Sequence, residues 1–489
     1  MKKIQMYING QWVDSQSNDT REIINPFDQS IIAIASEGDR SDSIEAIKAA
    51  RDAFDSGPWS TSTGTGRKNL LLKMVDLIKK NHEELAELES LDTGKTVEES
   101  RWDMDDIAGI FLYYANLADK DLSQNINSPI KNSTSTVKYE AVGVCGQISP
   151  WNYPLLQASW KMAPALAAGC TIVMKPSEIT PLTTAKIVEL SHEAGFPPGV
   201  VNLVMGPGHT VGAELAENHN VDLISFTGGG ITGRKIMQAA TGNVKKIALE
   251  LGGKNPHIIF EDAQIDVALD AVMNGVFFHA GQICSAGARV MVHEKIHDAF
   301  VDALKNKILA IKLGNGFDKD TKMGPLISKD HMEKVENFAK IGIDEGAHLL
   351  CGGKRSDDPQ LSKGFFFEPT LFSGCTSQMN IVREETFGPI ITVEKFSSEE
   401  EAINLANDTV YGLSAGFWTE DIDRQKRVSK ALRFGTVWIN DYNIYFVEAP
   451  WGGYKESGIG RELGHGGLEE YLETKHVFQN NKPTKLGWF

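Results

Sequence analysis

The stretch VCGQISPWNYPLLQASWKMAPALAAGCTIVMKPSE, residues 144–178, carries the fold signal of this chain. VCGQIS is a short apolar strand, PWNYP a loop, LLQASWKMAPALAAG a helix, and CTIVMK a second apolar strand ended by the turn PSEITP. The same rhythm continues beyond it. LTTAKIVELSHEAG (182–195) has helical spacing, VVNLVMG (200–206) is a strand and TVGAELAENH (210–219) a helix. VDLISFTG (221–228) is a strand, GGITGRKIMQAA (229–240) a glycine-rich turn into a helix, and KKIALELG (245–252) a strand. Apolar strands alternating with helices of this length predict a parallel sheet wound by right-handed crossovers. Ligands of such sheets sit at the carboxyl ends of the strands. That rule selects Asn152, Lys175, Glu178, Gly228 and Glu250, each of which follows or ends a predicted strand.

Upstream, SIEAIKAARDAF (43–54) and RKNLLLKMVDLIKKNHEELAELESLDTG (67–94) repeat apolar residues at helical spacing. The segment 123–143 is polar and then β-prone, as expected of a hairpin extending from the body. A second α/β region opens with PHIIF (256–260), continues as a helix over IDVALDAVMNGVFFHAGQICS (265–285) and the strand ARVMVHE (288–294), and runs to about 470. The tail from 473 starts β-prone, suited to pair with the 123–143 hairpin or with a neighbouring subunit's sheet.

At 489 residues the chain is too long for one core, so two or three domains are expected. A net charge of −16 disfavours nonspecific binding to nucleic acid or anionic membranes. The five cysteines are scattered, with no CxxC or Cys/His cluster for zinc and no disulfide framework. The first residues lack the apolar run of a signal peptide, and no uncharged apolar run reaches the roughly 18 residues of a membrane span. A soluble enzyme of the reducing cytoplasm is the natural expectation.

Three places carry chemistry. Glycines in SFTGGGITGRK let a phosphate approach backbone N–H groups at a helix N-terminus. Lys175 and Glu178, in KPSE, offer an ammonium and a carboxylate to a ribose diol, and the carboxylate disfavours a 2′-phosphate, so NAD is favoured over NADP. In GQICSAGAR (281–289) Cys284 stands among small residues, where a substrate has room to reach a nucleophilic thiol. Cys145 and Cys170, in apolar runs, read as inert core thiols. In IALELGGKNP a carboxylate, Glu250, closes an apolar strand; burial there raises its pKa toward the range of a general base.

PWNYP (150–154), KPSE (175–178), FTGG (226–229), ELGGKNP (250–256), GQICSAG (281–287), EETFGP (384–389) and PWGGYKESGIGRE (450–462) occur in this order. Together they resemble the aldehyde dehydrogenase superfamily over essentially the full chain, and within it the subgroup that oxidises betaine aldehyde to glycine betaine. The resemblance implies an α/β fold with a Rossmann-type parallel-sheet NAD domain (1–122 and 144–255), an α/β catalytic domain (256–472) and a small β oligomerisation element (123–143 and 473–489) of a homodimer or homotetramer. It implies that Cys284 is the nucleophile, Asn152 with the Cys284 N–H the oxyanion hole, Glu250 the base that activates water, and Lys161 and Glu462 a proton relay. Cofactor contacts are implied at Ser149, Pro150, Trp151, Lys175, Pro176, Ser177, Glu178, Gly208, Gly228 and Gly229, with Glu385 and Phe387 at the nicotinamide end. Gly229 departs from the serine of many members but matches the betaine aldehyde subgroup. A potassium ion, held mostly by backbone oxygens, is implied at Ile24, Asp92, Ile179, Val244, Lys455 and Gly458.

A trimethylammonium group is best held by aromatic faces. Tyr153 and Trp160, Tyr445 and Trp451, and Phe278 as a further wall are the candidates, with Glu448, Asp103 and Asp106 as attracting carboxylates. The alternative substrates are ω-aminoaldehydes or 4-trimethylaminobutyraldehyde, which carry the cation farther away or with N–H groups. A CoA-acylating enzyme does not need Glu250, and a non-catalytic binding protein needs none of Cys284, Asn152 and Glu250.

Overall fold

The structure, a computed structural model, describes residues 2–488. Two large sheets organise it. The first has eight strands in the order Gly458–Ile459, Lys246–Glu250, Leu223–Thr227, Val144–Ile148, Thr171–Lys175, Val201–Leu203, Met6–Ile8, Gln11–Val13. Its five central strands are parallel and its outer ones antiparallel. The second has seven, in the order His348–Cys351, Thr370–Cys375, Ile390–Phe396, Arg289–His293, Pro256–Ile259, Ser414–Trp418, Thr436–Ile439, all parallel except the first pair. Helices cover both faces of the parallel strands. Strands such as Val144–Ile148, Thr171–Lys175 and Arg289–His293 are therefore buried at every residue, which is why they read as unbroken apolar runs and not as alternating ones.

The predicted strands and helices of 144–252 occur in the expected order. The long helical stretch 67–94 is two helices, Gly64–Lys80 and His82–Thr93. They meet at Asn81, whose side-chain amide donates to the Leu77 carbonyl at 2.7 Å and so competes with the helix for its last acceptors. Helix Val97–Leu117 follows, opened by a capping box between Thr96 and Glu99. The 123–143 segment forms the strands Gln124–Asn125 and Ser133–Ala141, and Leu472–Asn480 pairs antiparallel with the latter from Leu472↔Ala141 to Asn480↔Ser133. The chain between 440 and 472 does not stay with the second sheet: Gly458–Ile459 joins the edge of the first beside Leu249 and Glu250. Sequence order alone does not reveal this return, because a two-residue strand leaves no periodicity to read. No helix among the described residues is long and apolar enough to cross a membrane.

Candidate active site

The carboxyl ends of the central strands of the first sheet open into a cleft of about 700 Å³. Ser149, Pro150 and Trp151 follow one strand, Lys175, Ser177 and Glu178 the next, and Gly228 and Gly229 lead into helix Gly230–Ala240; Gly208 completes the wall. Pro176 does not line the cleft. Its carbonyl accepts from the Lys175 ammonium at 2.9 Å, and that ammonium lies 3.4 Å from Glu178. Burial of Lys175 pushes its pKa down; partial burial works on Glu178 in the opposite sense, but the neighbouring ammonium prevails and keeps the carboxyl ionised. Gly229 caps the helix without a side chain, leaving its first N–H groups free for an anion.

Glu385 and Phe387 line a separate small cavity with Gly253, Gly281 and Ile283. Glu385 accepts from the Gly253 N–H at 2.9 Å, and any Cβ on Gly252 would collide with its carboxylate. Trp151 joins the two spaces. It lines the cleft and meets Phe387 edge-on, with ring centroids 5.3 Å apart.

The expected helix 265–285 is shorter: it ends at Phe277. His279, Ala280 and Gly281 then adopt left-handed φ of 47°, 54° and 75°, and this turn throws the Cys284 loop across the end of the first sheet. Three side-chain amides hold that loop. Asn152 Nδ2 donates to the Gln282 carbonyl at 2.9 Å. Asn255 Nδ2 donates to the Cys284 and Ala286 carbonyls at 2.8 and 3.1 Å. Gln282 Oε1 accepts from the Ile327 N–H at 2.9 Å. Cys284 keeps partial exposure, whereas Cys145 and Cys170 are fully buried. Its enclosure pushes the thiol up to about 12, with the charges of Glu250 and Glu385 adding and the N–H groups of Ser285 and Cys284 opposing. At rest it is therefore a thiol and needs a proton acceptor.

Glu250 is 5 % exposed, and its Oε1 has no hydrogen-bond partner. Burial first, then the charge of Glu462, pushes its carboxyl well above the usual range, against the pull of Lys161 and Arg461. Lys161 is fully buried, donates to Thr227 Oγ1 at 2.7 Å and forms an ion pair with Glu462. Glu462 exchanges two backbone hydrogen bonds with Trp451, at 2.6 and 2.7 Å, which ties this charged pair to an aromatic cluster.

That cluster consists of Trp160, Tyr445 and Trp451, with ring centroids 5.4, 5.9 and 6.3 Å apart. The Tyr445 hydroxyl donates to Asp106 at 2.5 Å. Tyr153 stands apart from the expected arrangement: one ring face is already occupied by the Lys95 ammonium, 3.8 Å from the centroid, and its edge meets His279. Phe278 packs edge-on to Trp102. Two of the three proposed attracting acids are otherwise engaged. Asp103 is paired with buried Lys95 at 2.7 Å, which Glu89 also approaches at 3.6 Å, and Asp106 accepts from Tyr445; Glu448 is exposed at the surface. Burial, only partly offset by Lys95, moves Asp103 to about 7.

The six potassium positions do not form one cage. Asp92 is wholly buried, its Oδ2 accepting from the Leu182 N–H at 2.9 Å and its Oδ1 unpartnered, near the segment of Ile179. Ile24 ends the strand Thr20–Ile24. Val244 is 89 % exposed before the strand Lys246–Glu250, whereas Gly458, three residues from Lys455, pairs with the opposite end of that strand. Among the described residues no three His, Cys, Asp or Glu side chains converge as metal ligands.

Several residues that shape the site escape sequence reading. Lys95, His279 and Tyr442 have no local signal. Asn255 and Gln282 lie inside stretches singled out for other residues. Burial holds the His331 imidazole down at about 4 and hence neutral; its Nε2 donates to the Phe387 carbonyl at 2.7 Å, bracing a residue whose φ is 54°.

This constellation, a cysteine over the end of a dinucleotide-type sheet with a buried carboxylate beside it, defines a family. Residues 12–477 match the model of the aldehyde dehydrogenase family, and the chain belongs to that family. It is 62% identical to betaine aldehyde dehydrogenase of Bacillus subtilis (strain 168), across 99% of both chains. It is 44% identical to the peroxisomal aminoaldehyde dehydrogenase 2 of Pisum sativum, across 99% of this chain and 97% of that one. A crystal structure of betaine aldehyde dehydrogenase from Staphylococcus aureus in complex with NAD+ superposes with a TM-score of 0.98 at 54% identity, covering 99% of this chain and 96% of that chain.

Proposed function

We propose that the chain catalyses the NAD-dependent oxidation of betaine aldehyde to glycine betaine. The observation that carries the substrate assignment is the Trp160–Tyr445–Trp451 cluster bonded through Trp451 to the charged pair beside Glu250. Aromatic faces attract a quaternary ammonium that offers no N–H. Engagement of Asp103 by Lys95 removes one carboxylate that a primary ammonium would use, which disfavours the ω-aminoaldehyde alternative.

In this mechanism Cys284 loses its proton and its sulfur adds to the aldehyde carbon. The carbonyl oxygen takes the negative charge, stabilised by the Asn152 amide and the Cys284 N–H. Cys284 then carries a thiohemiacetal. Lys175 and Glu178 would hold the adenosine ribose of NAD, the Gly229–Gly230 helix start its pyrophosphate, and Glu385 and Phe387 its nicotinamide end. NAD, when bound, supplies the hydride acceptor that turns the thiohemiacetal into a thioester. Glu250 removes a proton from water, hydroxide attacks the thioester carbonyl, the C–S bond breaks, and the Cys284 thiolate leaves with the acid released. The proton on Glu250 passes toward the Lys161–Glu462 pair.

A monovalent cation fits the orphan Asp92 Oδ1 with the carbonyls of Ile24 and Ile179; Lys455 and Gly458 lie elsewhere, and Val244 stands apart from them at the other end of the strand Lys246–Glu250. We assign residues 1–122 and 144–255 to cofactor binding, 256–472 to catalysis, and 123–143 with 473–489 to assembly into a dimer or tetramer. The strand Leu472–Asn480, exposed along nearly its whole length with Val477 and Phe478 outward, supports self-association. Five free thiols fit the reducing cytoplasm.

The test is kcat/KM with NAD for betaine aldehyde, 3-aminopropionaldehyde, 4-trimethylaminobutyraldehyde and an uncharged aldehyde of similar length. A preference for betaine aldehyde of about tenfold, or about 1.4 kcal/mol, is expected. A preference for the longer or primary-amine substrates overturns the substrate assignment while leaving the dehydrogenase chemistry in place.

A further inference from the structure

The loop that carries Tyr445 is gripped at the residue next to the nucleophile. The Ser285 hydroxyl, on a residue only 3 % exposed, donates to Asn443 Oδ1 at 2.6 Å, and the Ser285 carbonyl accepts from the Tyr442 hydroxyl at 3.0 Å. Two adjacent residues of one loop thus hold Ser285 by its side chain and by its backbone. Asn443 does this from a left-handed conformation, φ 61°, which few residues other than glycine or asparagine adopt without strain. Beyond Asn443 the loop is pinned again, by the Trp438 indole N–H to the Ile444 carbonyl at 2.7 Å and by Tyr445 to Asp106. The ring face expected to meet the substrate cation and the sulfur that meets its carbonyl are therefore linked through two hydrogen bonds to Ser285, the shorter of them from its own side chain.

We propose that the Ser285–Asn443 hydrogen bond sets the separation between Cys284 and the aromatic cluster, and so selects the length of cationic aldehyde that reacts. Asn443 is a positioning residue, acting through Ser285 and Tyr445. A side chain that merely stabilised the fold would change the reaction of every aldehyde alike. One that sets a distance changes the ratio between substrates, because a near-attack geometry is lost only for the substrate whose length it matched.

The inference rests on the aldehyde dehydrogenase assignment, and its test separates the two. The purified full chain is assayed as wild type, Asn443→Gly, Ser285→Ala, Ser285→Thr and the Asn443→Gly/Ser285→Ala double variant. Glycine removes the acceptor while tolerating the positive φ. The readout is the ratio of kcat/KM for betaine aldehyde to that for 4-trimethylaminobutyraldehyde. We expect each single loss to lower this ratio about tenfold, the double variant to lower it no further than either single one, and Ser285→Thr, which keeps the hydroxyl, to retain it. An unchanged ratio, effects that multiply in the double variant, or an equal loss for both aldehydes overturns the proposal. A wild-type protein inactive on every aldehyde overturns the functional assignment instead.

Discussion

The cofactor cleft and the aromatic funnel of Trp160, Tyr445 and Trp451 proposed to receive the substrate are built in opposite ways. The cleft is assembled from short contiguous pieces, each at the end of a parallel strand and each contributing backbone or one turn. The funnel is assembled from segments far apart in the chain, joined by the hydrogen bond of Tyr445 to Asp106, 339 positions away, and tied through the backbone pairing of Trp451 with Glu462 to the buried Glu462–Lys161 ion pair. A site made of turns tolerates change wherever its backbone is unaltered. A site made of interlocked buried polar groups does not, because each lost partner leaves another group unsatisfied.

The sharpest test of the contrast lies at the nucleophile. Cys284→Ala should abolish oxidation, a fall of about 10⁴-fold or more in kcat, while NAD binding followed by fluorescence titration stays within about threefold, since no part of the cleft is altered. Loss of NAD binding in the same variant would mean that the two regions are not separable. Asn152→Ala comes next. It removes the proposed oxyanion donor and, with it, the amide that holds Gln282, and should cost about 10²–10³ in kcat. A loss confined to KM would place Asn152 in substrate binding alone.

The pH dependence distinguishes the regions by charge. Burial raises the pKa of both Glu250 and Cys284, and both act in the deprotonated form, so rising pH favours the active form of each. Activity is therefore present at high pH and is lost as pH falls, by up to tenfold per unit below the controlling pKa. In the cleft Glu178 is shifted the other way and stays ionised, so NAD affinity should be flat over the same range. The same logic applies to oxidation: a thiol pushed up to about 12 reacts slowly with peroxide at neutral pH, and inactivation by peroxide should accelerate as pH rises. A flat rate of inactivation between pH 7 and 9 would show that the thiolate is formed by some other means.

The same division explains what the sequence made legible. The parallel sheet followed from apolar runs such as CTIVMK, the rule that ligands gather at strand ends selected Asn152, Lys175, Glu178, Gly228 and Glu250, and small flanking residues marked Cys284, all from local pattern alone. The motifs that resemble a family extended this to Lys161 and Glu462. Lys95 was beyond reach: nothing in DTGKTVEES announces that its ammonium lies against Tyr153, 58 positions later in the chain. Asp103 was misassigned for the same reason, since its acidity was visible and its buried partner was not. The helix drawn through Cys284 overran because a left-handed run at His279 and Ala280 breaks no propensity rule that sequence can show; it is imposed by the packing of Gly281 against Gly388.

The smallest effects belong to the cleft, and two neighbouring glycines measure them. A Cβ at Gly229 meets nothing within 4 Å, and the residue has φ −75° and ψ 145°, open to any amino acid. Gly229→Ala should therefore change stability by less than about 1 kcal/mol, the unfolded-state gain offsetting the poorer helix cap that alanine makes, and shift the KM for NAD by less than about threefold. A Cβ at Gly228 would stand 2.5 Å from Cζ of the Phe226 ring, and the Gly228 N–H already donates to the Glu250 carbonyl at 3.0 Å. Gly228→Ala must displace that ring or that hydrogen bond, at a cost of about 1–3 kcal/mol, and the displacement reaches the base. Thermal unfolding of the two variants side by side, with kcat measured for each, gives the outcome. Equal behaviour would mean that the wall of the cleft is as interlocked as the funnel. A neutral Gly229→Ala beside a destabilised, slowed Gly228→Ala would locate the seam between backbone-built and side-chain-built chemistry within a single residue, at the strand end where the first sheet delivers Glu250.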